Sequence, residues 1–181
     1  MRATTHSRQL LPLLAIATLG VALIGCTPWA TYPPIEGAVS VDNPTMHPIP
    51  DLMGEALWYV WEMDGGEGAL VFNLPPGTRG LVYDKVMDKL GGGSPMRDAS
   101  QDAYHVTNVR IRTVDAEVDV IRRNDMGDPE LLTLTFKQNL LKGYMVQDVR
   151  VWRYEVDEPP PYYVPETMRA GQPVRGAAGD E

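Results

Sequence analysis

From Val109 to Val120 apolar and charged residues alternate on either side of a reversal at Val114-Asp115, and this stretch restricts the fold more than any other part of the chain. A period of two sends successive side chains to opposite faces of a pleated strand. Pairing Thr113 with Ala116, Arg112 with Glu117, Ile111 with Val118, Arg110 with Asp119 and Val109 with Val120 sets opposite charges across from each other on one face. The same register gathers the apolar residues on the other face. A four-residue loop over Thr113 to Ala116 keeps this pairing, and the absence of glycine from a two-residue turn slightly favours it. The segment must therefore be an antiparallel hairpin with one face in a core and the other carrying charge.

The neighbouring segments extend that sheet. Leu132, Leu134 and Phe136 alternate with Thr133, Thr135 and Lys137, and a last strand runs from Tyr144 to Tyr154. The apolar parity switches at Thr107-Asn108 and again at Gln147-Asp148, which predicts two β-bulges and a curved sheet. Ahead of the strands, Leu52, Met53, Ala56, Leu57, Val60 and Trp61 recur at helical spacing after Pro50-Asp51, although Leu57 to Trp61 also fits a strand. Ala69 to Leu74 reads as a short buried strand. Thr78 caps a second helix with Leu81, Val82, Val86 and Leu90 facing inward, and Gly91-Gly92-Gly93 stops it. Asp84, Lys85, Asp88 and Lys89 form its solvated side. The fold class is α+β: two helices and a short strand, followed by a curved four-stranded antiparallel meander, all within residues 51–156.

The flanks are of different composition. Arg2, His6 and Arg8 precede an apolar run from Leu10 to Ile24, and Gly25 stands before Cys26, the only cysteine of the 181 residues. The run is shorter than the roughly 20 residues a membrane-spanning helix requires, and its layout is that of a cleaved secretory signal. Leu23-Ile24-Gly25-Cys26 resembles the lipobox of bacterial lipoproteins. The resemblance implies cleavage after residue 25, acylation of the Cys26 thiol and a membrane contact made through that lipid. It places the chain in the bacterial cell envelope, facing the periplasm or the exterior. Thr27 lacks the aspartate that retains lipoproteins at the inner membrane in the enterobacterial pattern, which slightly favours the outer membrane in a diderm host. Residues 26–50, rich in proline, read as an extended tether. Residues 157–181 read as a disordered tail, in which Pro159-Pro160-Pro161-Tyr162-Tyr163 has the composition of a docking segment for an aromatic groove.

A chain cleaved there loses two arginines and keeps 14 basic against 24 acidic residues, so its net charge moves from −8 to −10. Such a surface repels phosphate backbones, and no nucleic-acid partner is expected. No cofactor or metal is expected either. His47 and His105 have no recognisable ligand spacing, and Asn124 to Glu130 lacks the alternating oxygen donors of an EF-hand loop. Pro95 spoils a nucleophile elbow at Ser94, and Gly91-Gly92-Gly93-Ser94 follows a helix without the lysine of a phosphate loop. No residue set is expected to be catalytic; an enzyme would need His105 and a carboxylate to converge in a cleft.

Two binding features stand out. Arg150, Trp152 and Tyr154 share one face of the last strand, a composition enriched at protein interfaces. Trp58, Trp61, Phe72 and Phe136 would line a cavity for a small apolar or amphiphilic ligand if sheet and helices left one. The leading expectation is a non-enzymatic lipid-anchored domain for protein interaction or envelope assembly, with an apolar-ligand binder as the alternative. The order of elements over residues 50–154 is similar to the cone-shaped fold of the nuclear-transport-factor-2-like superfamily, except that one clear strand stands where that fold has a hairpin. The similarity implies no functional residues.

Overall fold

The computed structural model describes residues 27–165; the expected signal segment, Cys26 and residues 166–181 lie outside them. In chain order the elements are β1 (Ala30–Tyr32), β2 (Val39–Ser40), α1 (Ile49–Met63), β3 (Val71–Asn73), α2 (Gly80–Leu90), β4 (Ser94–Pro95), β5 (Tyr104–Arg112), β6 (Asp115–Arg123), β7 (Pro129–Asn139) and β8 (Gly143–Trp152). The expected α+β class holds, with both helices and the four-stranded meander β5 to β8 present. The sheet is larger than expected, however, running β2-β1-β5-β6-β7-β8, with β3 paired to β5 and β4 to β3.

The extra strands come from segments that had read otherwise. Ala30 to Tyr32, in the expected tether, pairs antiparallel with Val109 to Ile111, and Val39-Ser40 pairs with β1. Proline richness obscured the pairing, because the intervals free of proline there, Trp29 to Tyr32 and Ile35 to Asn43, are short and lack a clear alternation. Its Tyr32 is buried, and the hydroxyl lies 2.7 Å from the Thr78 hydroxyl. Thr78 does not cap α2, whose first flanking residue is Arg79; its hydroxyl instead donates to the Pro75 carbonyl at 2.6 Å. Leu81, expected in the core, is exposed.

Both helices lie on one face of the sheet. Leu52, Met53, Ala56, Leu57 and Val60 of α1 and Val82, Tyr83 and Val86 of α2 meet Val109, Val118, Val120, Leu132, Leu134 and Phe136, all buried. Removing this apolar area from water, at roughly 25 cal/mol per Å², is the main stabilising term. Both expected bulges are present, between Val106 and Asn108 in β5 and opposite Thr135/Phe136 in β8. Each lets apolar residues three apart in sequence face the same core.

The hairpin pairs the expected strands two residues out of the expected register. Arg112 lies opposite Asp115, Arg110 opposite Glu117 and Val109 opposite Val118. A shift of two leaves every side chain on its own face, so the two-faced pattern is kept. The connection is a two-residue turn, Thr113-Val114, in which Thr113 takes φ 58°. Left-handed backbone disfavours a β-branched residue, and glycine is preferred where only the first turn residue has positive φ. Thr113→Gly should therefore raise the unfolding free energy by roughly 1 kcal/mol in urea titrations with an unchanged slope; a destabilised variant would contradict this strain.

Candidate functional site

The sheet face away from the helices carries the charged residues of the alternating pattern. One row crosses the sheet as Asn108, Asp119, Thr133 and Arg150, and the next as Arg110, Glu117, Thr135 and Asp148. Arg110 donates through Nη1 and Nη2 to the two Asp119 carboxylate oxygens at 2.8 Å each, and through Nε to Glu117 at 2.9 Å. Burial by itself pulls the guanidinium pKa down, but the two carboxylates outweigh it and the net shift is upward. Asp119, itself buried, also accepts from the Thr133 hydroxyl at 2.6 Å. The Thr133 oxygen in turn accepts from Trp152 Nε1 at 2.9 Å. A hydrogen-bonded chain thus runs from β5 to the last strand.

That chain fixes the expected interface residues. The Arg150 guanidinium stands 5.3 Å from the centre of the Trp152 ring, and the Trp152 and Tyr154 rings are 6.1 Å apart. Trp152 is 36% and Tyr154 54% exposed. The structure brings all three together, with Trp152 held by its bond to Thr133 and both aromatic rings partly open to water.

The expected cavity residues separate. Phe72 and Phe136 are fully buried core residues, and neither lines the groove that Trp58 and Trp61 share. Trp58 and Trp61, with rings 5.1 Å apart, instead line an open groove of about 380 Å³ at the ends of both helices, with Leu70, Leu90 and Gly91 to Ser94. Trp61 Nε1 is buried there without a hydrogen-bond partner among the described residues.

His105 is buried at 1% exposure and does meet a carboxylate, from a segment expected to be disordered. Residues 158–163 lie against the domain, and Glu158 reaches both His105 Nε2 at 3.4 Å and the Arg123 guanidinium at 2.6 Å. Burial pushes the Glu158 carboxyl up, but the Arg123 bond and charge, with His105, outweigh it and hold it below its usual value. For His105 burial dominates and lowers the pKa, against the opposing pull of Glu158. Beyond His105, Asn73 Nδ2 donates to His105 Nδ1 at 3.3 Å and to the Pro160 carbonyl at 2.8 Å. Asn73 Oδ1 accepts from the Tyr162 amide at 3.2 Å and from the Tyr83 hydroxyl at 3.3 Å. Tyr163 packs edge-on to the Tyr83 ring at 4.9 Å. The sequence search missed Asn73, Tyr83, Arg123 and Glu158. The one available signal was Asn73, an amide within an otherwise apolar strand.

The Asn124 to Glu130 segment is a polar turn in which Asn124 Oδ1 accepts from the Met126 and Asp128 amides, while Glu130 pairs with Arg122. Arg122 also pairs with Asp64 at the end of α1. His47 pairs with Asp51 on the surface. No three His, Cys, Asp or Glu side chains cluster as metal ligands among the described residues.

Comparison with known protein families, with curated proteins and with solved structures found no match.

Because the outer-face chain depends on Asp119, Asp119→Ala should cost about 2–3 kcal/mol in urea unfolding. It should also shift the emission of Trp152 to longer wavelength. Asp148→Ala, in the exposed row beside it, should cost no more than about 0.5 kcal/mol. Equal effects of the two would disprove the chain.

Proposed function

We propose that this chain is a lipid-anchored lipoprotein of the bacterial cell envelope, held by an acylated Cys26. Its non-enzymatic domain presents the outer sheet face to a protein partner or envelope assembly. The Arg150, Trp152 and Tyr154 cluster carries this reading. It joins two exposed aromatics and a guanidinium, and the Trp152 bond to Thr133 fixes its geometry before any partner arrives. Pre-organised aromatic and arginine side chains are what interface hot spots are made of. β8 also ends the strand order, so its free edge could accept a further strand beside the cluster.

The buried setting of His105 supports a structural role for it. Its two ring nitrogens are both engaged by protein groups, which leaves no free lone pair or proton for a substrate. The curved meander backed by α1 and α2 supports the likeness to the nuclear-transport-factor-2-like superfamily. No helix among the described residues is long and apolar enough to cross a membrane; the membrane contact of this proposal is the lipid. A second reading, a site for a small apolar ligand, is favoured by the Trp58/Trp61 groove with its unpartnered indole N–H.

Two experiments test the proposal. Cys26→Ser should abolish both cleavage after residue 25 and incorporation of labelled fatty acid, and a variant processed and acylated like wild type would refute the anchor. Affinity capture from native membranes should lose its specific partner when Arg150, Trp152 and Tyr154 are each replaced by Ala. Each hot-spot truncation should weaken binding by roughly 30-fold, and an unchanged set of captured proteins would refute the interface.

A further inference from the structure

The segment after β8 leaves one edge of the sheet and is anchored near the other. Trp152 pairs with Leu131, Leu131 with Ile121 and Ile121 with His105, so the chain crosses three strand spacings, about 14 Å, before Glu158 reaches His105 and Arg123. From there it is gripped by its backbone. Asn73 donates to the carbonyl of Pro160 and accepts from the amide of Tyr162, so one buried side chain imitates the edge of a neighbouring strand.

The grip depends on the protonation of His105. Asn73 Nδ2 can only donate, so the His105 Nδ1 it faces must be the bare nitrogen, and the single ring proton lies on Nε2 toward Glu158. A second proton on Nδ1 would set donor against donor. Asn73 could answer only by rotating its amide through a half-turn, placing Oδ1 toward His105. That rotation turns Oδ1 toward the Pro160 carbonyl and Nδ2 toward the Tyr162 amide, so acceptor faces acceptor and donor faces donor. Both contacts that hold the segment are lost together.

We propose that residues 158–163 form a latch over the outer face of the sheet, closed while His105 is neutral and released by its protonation. The groups facing His105 pull in both directions. Glu158 on the segment favours the charged ring, while Arg123 on β6 opposes it and the more distant Asp102 before β5 favours it. Asn73 on β3 and, through it, Tyr83 on α2 are neutral, and Ile121 opposite on β6 is apolar. Burial lowers the His105 value against the pull of both carboxylates, and the Asn73 donor facing Nδ1 excludes a second ring proton while the segment is held. The latch then weakens as pH falls through the range in which the uncovered ring takes its second proton. Glu158, held below its usual value, acts in the same direction in more acidic solution. Release would hand a free Pro-Pro-Pro-Tyr-Tyr segment to solvent. The latch is independent of the lipid anchor and of the Trp152 cluster.

The test is ¹⁵N relaxation of the Tyr162 and Tyr163 amides in the full chain between pH 7.5 and 5.0, with the His105 ring carbons followed in the same samples. The closed-to-open ratio should fall by about tenfold or more across this range, with its midpoint at the His105 titration and the β7 amides unchanged. His105→Gln can accept from Asn73 and donate to Glu158 but cannot take a second proton, so it should stay closed at pH 5.0. Rigid Tyr162 and Tyr163 amides at pH 5.0 in the wild type would overturn the proposal. So would release of the Gln variant with the wild-type midpoint.

Discussion

β5 has to serve two neighbours along one edge. Its Val109 to Ile111 half pairs with β1 and its Tyr104-His105 end pairs in parallel with β3. A regular strand could not do this and also fill the core, because Val106 and Val109 stand three apart and would face opposite sides. The bulge at Thr107 removes the conflict, since the extra residue lets both valines point at the helices. It also fixes the parity of the rest of the strand: His105 and Arg110 are both sent to the outer face, where each meets the carboxylate it needs. Core, sheet branching and both outer-face networks therefore rest on one irregular residue in β5.

The ion pairs of the domain are of unequal weight. Lys89 and Glu55 meet at 2.8 Å with both side chains well exposed, a geometry in which water and salt leave about 0–1 kcal/mol. Arg110 and Asp119 meet through two parallel bonds in a half-buried row, and Thr133 satisfies a further carboxylate lone pair. Breaking the second pair strands a desolvated charge, whereas breaking the first merely returns two groups to water. The charge alternation visible in the sequence thus acquires its value from burial, which the sequence does not display.

This distinction explains what could and could not be read from the sequence. Period, bulges and helices were legible because each is a local pattern with one physical meaning. The hairpin register was not, because Arg110 is long enough to reach Glu117 opposite and Asp119 diagonally, so complementary charge permits both registers. The choice falls to the turn and to the bulge at Thr107, and Thr113 carries no sign of its positive φ. Phe72 and Phe136 were legible as apolar but not as filled core. The Arg150, Trp152 and Tyr154 cluster was legible because a single strand supplies it. The His105 site needs β3, α2, β5, β6 and the tail at once, and no local pattern reports such a convergence.

The ordering of residues 158–163 shows why composition misjudged them. Fixing an ordinary residue costs about 1–2 kcal/mol, but prolines are already restricted, so Pro159 to Pro161 lose less than the composition argument assumes. Against this reduced cost stand a charge-assisted bond to Arg123, two bonds from Asn73 and the packing of Tyr163 on Tyr83, each contributing between about 0.5 and 3 kcal/mol. Two of these bonds come from Asn73, whose amide nitrogen also faces the buried His105, so the segment and the imidazole share one side chain.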